Sequence, residues 1–380
     1  MTDTNTAIPE STTAREAIPP DHAMDIKLFG LAHLRLIGAR PGDLAAVEAQ
    51  FGPAHRADGG TPDLTLRYVE HIKLEGTLRY LGPAEAGFAD NGFVVLNGRF
   101  RKPVKVRLPV GDLGGPCEVI CEHGVGRVPH LVALVNLAIL ANGGLALHAS
   151  GFEADGAATV VTGWSKGGKT EALLAHCKRG ARYVGDEWLH LHPDGRISGI
   201  EEPLRVWDWH LDQLPDVRAN LPRTDRTRLR ALRTADKTLG GRASRRIGTT
   251  IARQRFVDLA PSLIAPAGRA VGPLPMGPVF LMTSADQRTT TVRSITGAEI
   301  ADRMAASLTF ERSPLLAAVT AFRYAFPATL TTALDRVPEL ERERLHSLLD
   351  AASTAEVIHP YPVHLDEMAD AMAAWPADPT

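Results

Sequence analysis

Residues 157–187 read Ala157-Ala-Thr-Val-Val-Thr-Gly163-Trp-Ser-Lys-Gly-Gly-Lys169-Thr170-Glu-Ala-Leu-Leu-Ala-His-Cys-Lys-Arg-Gly180-Ala-Arg-Tyr-Val-Gly-Asp186-Glu187. A short β-branched run leads into Gly163–Thr170, which matches G-x-x-x-x-G-K-[ST]. Small glycines let backbone N–H groups turn inward around phosphate oxygens, and the helix that follows adds N-terminal donors and partial positive charge. Within Gly163, Trp164, Ser165, Lys166, Gly167, Gly168, Lys169 and Thr170, Lys169 is placed to reach phosphates and the Thr170 hydroxyl to ligate Mg²⁺. The helix runs from Lys169 to about Arg179, and a strand then ends at Asp186-Glu187. An acid at the carboxyl end of a strand beside such a loop can hold Mg²⁺ or take a proton from an attacking hydroxyl. The bland alternatives are a Gly-rich turn and two surface acids.

Outward from this unit the pattern changes. Upstream, from about Met24 to Val128, Asp25–Gly30, Leu64–Val69, Gly92–Asn97, Val104–Leu108 and Cys117–Cys121 read as strands, and several alternate apolar and polar residues, as half-buried antiparallel strands do. A helix opens at Pro41-Gly-Asp, with Asp43 as its cap. Another runs from Pro129 to Asn142 and stops at Gly143-Gly144. Downstream, Pro278–Thr283 reads as a strand, Thr296-Gly-Ala-Glu299 as a capping box, and 334–352 as a charged amphipathic helix. From Arg218 to Arg255 there are twelve Arg or Lys and two acids, Asp225 and Asp236. That stretch reads either as a solvated excursion or as a mobile loop offering arginines to phosphates or to an acidic acceptor.

The division that follows is a polar, disordered tail over 1–22, a β-rich α+β domain over 23–143, a phosphate-loop domain over 144–330 with the basic excursion 218–255, and a helical segment over 331–380. The net charge of −2 calls for no polyanionic partner, so no nucleic acid is expected. The longest nearly apolar run, Leu131–Ala141, is far short of the roughly 20 residues of a membrane helix, so no membrane partner is expected. Three cysteines, Cys117, Cys121 and Cys177, make no disulfide framework and fit a cytoplasmic, reducing setting.

Some candidates carry little by themselves. His148 alone reads as a packed histidine and Arg205 as a loop arginine; Trp164 shields the loop or fills space. Together, Leu147-His148-Ala-Ser-Gly151, the strand into Gly163–Thr170, Glu171, and Arg179-Gly180-Ala-Arg182-Tyr-Val-Gly-Asp186-Glu187 resemble the HPr kinase/phosphorylase family and its kinase-like relatives, which share a core with phosphoenolpyruvate carboxykinase. The segment Pro203-Leu-Arg205-Val-Trp207 is similar to the P-x-x-R-L-W of relatives outside the true HPr kinases. The resemblance covers roughly residues 145–210. It implies an α/β nucleotide-binding core, with ATP and Mg²⁺ as cofactors. Lys169 and Thr170 are then the phosphate and metal contacts, Asp186 and Glu187 the acidic pair, with Asp186 on the metal, and His148 the histidine of the family. Glu187 replaces an aspartate, and an E-V-R-G signature is missing. The implied activity is therefore phosphoryl transfer to a serine-like hydroxyl of a protein, peptide or small molecule other than HPr. The alternatives are a nucleotide-binding sensor with weak or no ATPase activity, and carboxykinase-like chemistry. A homo-oligomer is left open.

Overall fold

In the computed structural model the described residues are 23–375 except 53–54, 57–58, 83–84, 98–102, 114, 240–252 and 330–332. The tail read over 1–22 and part of the basic stretch, with Gly240-Gly241, lie outside them. The described chain is mixed α/β, built on two large mixed sheets and a two-stranded ribbon.

The first sheet has nine strands: β1 (Ala23–Leu28), β2 (Ala32–Ile37), β3 (His55–Arg56), β4 (Leu64–Val69), β5 (Arg79–Leu81), β6 (Ala86–Ala89), β7 (Gly92–Asn97), β8 (Val104–Arg107) and β9 (Cys117–Glu122), in the order β3-β1-β2-β4-β9-β8-β7-β6-β5. The alternation read in β4 is real: Leu64, Leu66 and Tyr68 are buried and their neighbours half-buried. The expected antiparallel pairing holds only in part, because β4 lies parallel to both β2 and β9. Alternation records that one face is buried, not the direction of the neighbouring strand. The helix α1 (Pro41–Phe51) lies between β2 and β4 in sequence and supplies the long connection that a parallel pair needs. Asp43 sits inside α1 rather than at its cap. From there its carboxylate accepts the Arg40 N–H at 3.0 Å, and it meets His123 Nδ1 at 2.8 Å in the loop after β9.

The second sheet comprises β10 (Leu145–Ala154), β11 (Ala157–Gly163), β12 (Arg182–Gly185), β13 (Trp188–Leu191), β14 (Arg196–Gly199), β17 (Leu274–Ser284), β18 (Thr291–Ser294) and β19 (Thr354–His359). The ribbon is β15 (Leu204–Trp207) with β16 (Phe256–Leu259). Helix α2 (Leu131–Ala141) packs between the sheets, against β10 on one side and β2 and β4 on the other. Its Gly143 takes φ 88°, and the Gly144 N–H returns to Ile139 O at 2.9 Å, closing the helix where the glycines foretold. One apolar core therefore runs from Ile26, Leu34 and Leu66 through Leu137 to Leu147, Val160 and Leu281.

Strand direction places the site. β11 is parallel to β17, and β17 to β19. β12 is antiparallel to β10, which is antiparallel to β11, so β12 runs the same way as β11. The carboxyl ends of β11, β12, β17 and β19 thus share one edge, and from β11 and β12 the chain enters the Gly163–Thr170 loop and Asp186. Helix α3 (Lys169–Lys178) leaves from that edge.

Two parts differ from the sequence reading. The stretch 331–380 is not only helical. It holds β19, the parallel neighbour of β17, whose buried Glu356 breaks the apolar run but is satisfied by Thr283, Arg293 and Arg303. The described part of 218–255 is ordered into helix. After the short α4 (Asp208–Gln213) and α5 (Pro215–Asn220), α6 spans Arg223–Leu239. Arg, Leu and Ala are good helix formers, and Leu229 anchors α6 in the core.

Candidate functional site

The site grows from the turn after β11. Gly163 has φ 150°, and a Cβ there would stand 2.7 Å from Met282 O on β17. Gly168 has φ 109°, and a Cβ there would meet His359 Nε2 at 2.3 Å. Glycine is required at both, at one because a neighbouring strand presses on the loop and at the other because a histidine does. Lys166, between them, also takes a left-handed conformation, φ 62°. Lys169 opens α3 and is buried. Its Nζ donates to Gly163 O at 3.2 Å and Trp164 O at 3.1 Å. Burial pushes its pKa down, against the opposing pull of Glu187 and Asp186.

Thr170 faces the end of β12. Its Oγ1 lies 3.1 Å from Asp186 Oδ2 and 3.3 Å from Oδ1, and Ser150 Oγ on β10 donates to the same carboxylate. Burial, then the charge of Glu187, pushes the Asp186 pKa up to about 6. Glu187 turns the other way. Its φ is 58°, a costly conformation for a residue with a Cβ, and its side chain is 62% exposed. Its Oε2 stands 3.5 Å from His148 Nε2, and this histidine, ahead of Lys169 and Arg205, holds its pKa down. His148 is buried. Its Nδ1 meets Ser307 Oγ at 3.0 Å and Glu311 Oε1 at 3.5 Å, both on α7 (Gly297–Glu311).

On the far side of α3, Glu171 meets His210 Nε2 at 3.1 Å. The Trp207 N–H donates to His210 Nδ1 at 3.1 Å, so Nε2 carries the hydrogen and donates to Glu171. Burial pushes the Glu171 pKa up, but the His210 bond and charge, with a backbone hydrogen bond and the charge of His359, together bring it below the ordinary value. Arg205 is exposed, paired with Asp258 at 3.1 Å and lying 4.1 Å over the Phe256 ring.

These groups surround one cleft of about 1690 Å³. Of the residues singled out in the sequence, His148, Ser165, Lys166, Gly168, Lys169, Thr170, Glu171, Asp186, Glu187 and Arg205 line it. Gly163 and Gly167 shape the loop from behind. Trp164 turns outward onto Phe310, with ring centroids 4.7 Å apart. Sequence reasoning missed Ser150, Glu202, Ser307, Glu311, His210 and His359. Glu202 faces the cleft, and its Oε1 has no hydrogen-bond partner. Burial, then Asp186 and Glu187, raises its pKa to about 8, so at neutral pH it is a carboxylic acid able to donate.

Three cations in the described part of the basic stretch are answered from within, while Arg253 and Arg255 also line the cleft. Asp208, 2% exposed, takes Arg233 at 2.7 Å, Arg255 at 2.7 Å and Arg218 at 3.2 Å. Those three arginines are structural. Arg223, Arg226 and Arg230 stay exposed along α6.

The donor set fits a magnesium nucleotide. A hard-cation pair, the Thr170 hydroxyl and the Asp186 carboxylate, stands at the start of a helix whose loop excludes side chains at two glycines. No family model matches the chain, and no curated protein matches it significantly. No helix among the described residues is long and apolar enough to cross a membrane.

Proposed function

We propose that this protein is an ATP-dependent kinase of the HPr kinase-like class, with a phosphoenolpyruvate carboxykinase-type core, transferring the γ-phosphoryl group to a serine-like hydroxyl. The observation that carries this reading is the split of one acidic pair. Asp186 is buried against Thr170 at the mouth of the loop, and Glu187 is swung by its positive φ toward His148 and the open cleft.

Bound Mg²⁺ and ATP would supply charge neutralisation and the phosphoryl donor. Thr170 and Asp186 would hold the metal. Lys169, released from the loop carbonyls, would lie along the phosphates, and the loop N–H groups would orient them. Glu187 would accept the proton of the acceptor hydroxyl, with His148 fixing its carboxylate from behind and Ser307 and Glu311 fixing His148. The cleft is large enough to hold an acceptor beside a nucleotide, as drug-sized ligands occupy pockets of about 300–1,000 Å³. A sensor has no need of a second acid set in a strained backbone, which favours catalysis over the nucleotide-sensing alternative.

The test is a screen of hydroxyl-bearing peptides, proteins and small molecules with γ-labelled ATP and Mg²⁺. Label in an acceptor supports the reading. Label found only as free phosphate, or no turnover despite nucleotide binding, refutes it.

A further inference from the structure

We infer that His359 is a positioning residue of the phosphate loop, holding the Gly167–Gly168 peptide with its N–H turned toward the bound phosphates. The inference rests on the reading of Gly163–Thr170 as a nucleotide loop and adds to it a residue from the other end of the chain.

His359 is the last residue of β19 and is 1% exposed. It pairs in register with Ser284 on β17, and its own carbonyl accepts the Ala285 N–H at 2.9 Å. Its backbone is therefore fixed by the sheet edge. Its ring is fixed at both nitrogens: Nδ1 lies 2.8 Å from Pro360 O and Nε2 2.8 Å from Gly167 O. A carbonyl oxygen can only accept, and a neutral imidazole carries one N–H; we place it on Nε2, donating to Gly167 O, and Nδ1 donates to Pro360 O as well only when the ring is protonated. In a trans peptide the C=O and the following N–H point to opposite sides of the chain. Pulling the Gly167 oxygen down onto His359 aims the Gly168 N–H up, away from the sheet and into the cleft that Gly168 lines. A flipped peptide would put a carbonyl dipole against phosphate oxygens.

The second mark of this contact is steric. A Cβ on Gly168 would stand 2.3 Å from Nε2 and 2.9 Å from Cε1 of His359. The glycine required by the loop motif is required here by the histidine, and the two positions form one device across 191 residues of chain.

Two amide substitutions separate the donor from the packing. In His359→Gln the side-chain amide reaches about as far as Nε2, whereas in His359→Asn it stops near Nδ1. Binding of tripolyphosphate and of Mg·ATP is measured by calorimetry in the full chain, with thermal unfolding to confirm that each variant is folded. The expectation is that Gln binds both within about threefold of the wild type. Asn should lose about tenfold, the cost of one hydrogen bond that orients a buried peptide. Should Asn fail to fold, His359→Phe, which keeps the ring and lacks the donor, takes its place in the comparison. Equal affinity in the donor and non-donor variants overturns this inference and leaves the loop reading standing. A wild-type protein that binds neither probe overturns both.

Discussion

Thr170 Oγ1 lies 3.1 Å from Asp186 Oδ2, joining the first turn of α3 to the end of β12. The hydroxyl donates and the carboxylate accepts, and the carboxylate is buried beside the start of that helix. Burial, then the charge of Glu187, makes Asp186 the pH-sensitive element of the site, while the bonds from Ser150 and Thr170 oppose the shift. Its pKa of about 6 lies above the ordinary 3.8, so between about pH 4 and 6 the folded, ligand-free protein holds a proton that the unfolded chain has released.

Stability and ligand binding should therefore respond to pH with opposite sign. As pH rises from about 4 to about 6, the unfolded chain releases the Asp186 proton before the folded chain does, and the stability of the ligand-free protein falls. A shift of about two units corresponds to roughly 3 kcal/mol as an upper bound. Asp186→Asn should remove that loss, leaving the free protein about 1–3 kcal/mol more stable than the wild type at pH 7. Affinity for Mg·ATP should do the reverse and rise through pH 6 as the carboxylate becomes available to the metal. In Asp186→Asn it should be weak and flat. Urea unfolding and calorimetric titration across pH 4–8 check both; parallel pH profiles in wild type and variant would refute the assignment.

Lys169 should be separable into binding and stability. Its ammonium is buried and bonded to two loop carbonyls, so it is not the free surface lysine that a loop position suggests. Lys169→Met keeps most of the volume and removes a buried charge. The free variant should melt at or above the wild-type temperature, while the stabilisation given by Mg·ATP disappears. A thermal shift with and without nucleotide decides it. Retained nucleotide stabilisation would remove Lys169 from the phosphate site.

Glu187→Gln should leave Mg·ATP affinity within a few-fold of wild type and slow single-turnover transfer by roughly 10²–10⁴-fold, as for loss of a general base. The ground is that Glu187 faces His148 and the open cleft while Asp186 faces Thr170. Equal loss of metal–nucleotide binding in Glu187→Gln and Asp186→Asn would favour a shared metal site instead.

Asp208→Asn should destabilise the fold by about 2 kcal/mol, because it strands three arginines around one buried position. The value is below the roughly 3–5 kcal/mol of a fully buried pair. The guanidinium side chains are 24–34% exposed and keep partial access to water. By contrast, replacing Arg223, Arg226 and Arg230 together by Gln should leave stability within about 0.5 kcal/mol. It should also flatten any salt dependence of acceptor binding. Chemical denaturation and acceptor affinity at two ionic strengths separate the two arginine sets. A large stability loss in the triple variant would make this helix face structural too.

The amino-acid sequence by itself determined the unit from Ala157 to Glu187. Strand, loop, helix and strand follow one another there, each gives a local signal, and β11, α3 and β12 lie where those signals place them. It determined the glycine stop of α2 and the buried face of β4 for the same reason: capping and alternation are properties of neighbouring residues. Tertiary structure alone decided which distant groups reach the loop. His359 arrives because β19 adds beside β17, and Ser307 and Glu311 arrive because α7 packs against β10 and β11. Neither contact leaves a mark within a window of sequence. It also decided which charges are spent. Arg218, Arg233 and Arg255 read as free cations in a basic run, yet they close on Asp208, from which they are separated by 10, 25 and 47 residues. A charge is legible in a sequence, but its partner is set by the path of the chain. Solvation and pairing, which fix whether that charge acts on a ligand or holds the fold, belong to the folded state.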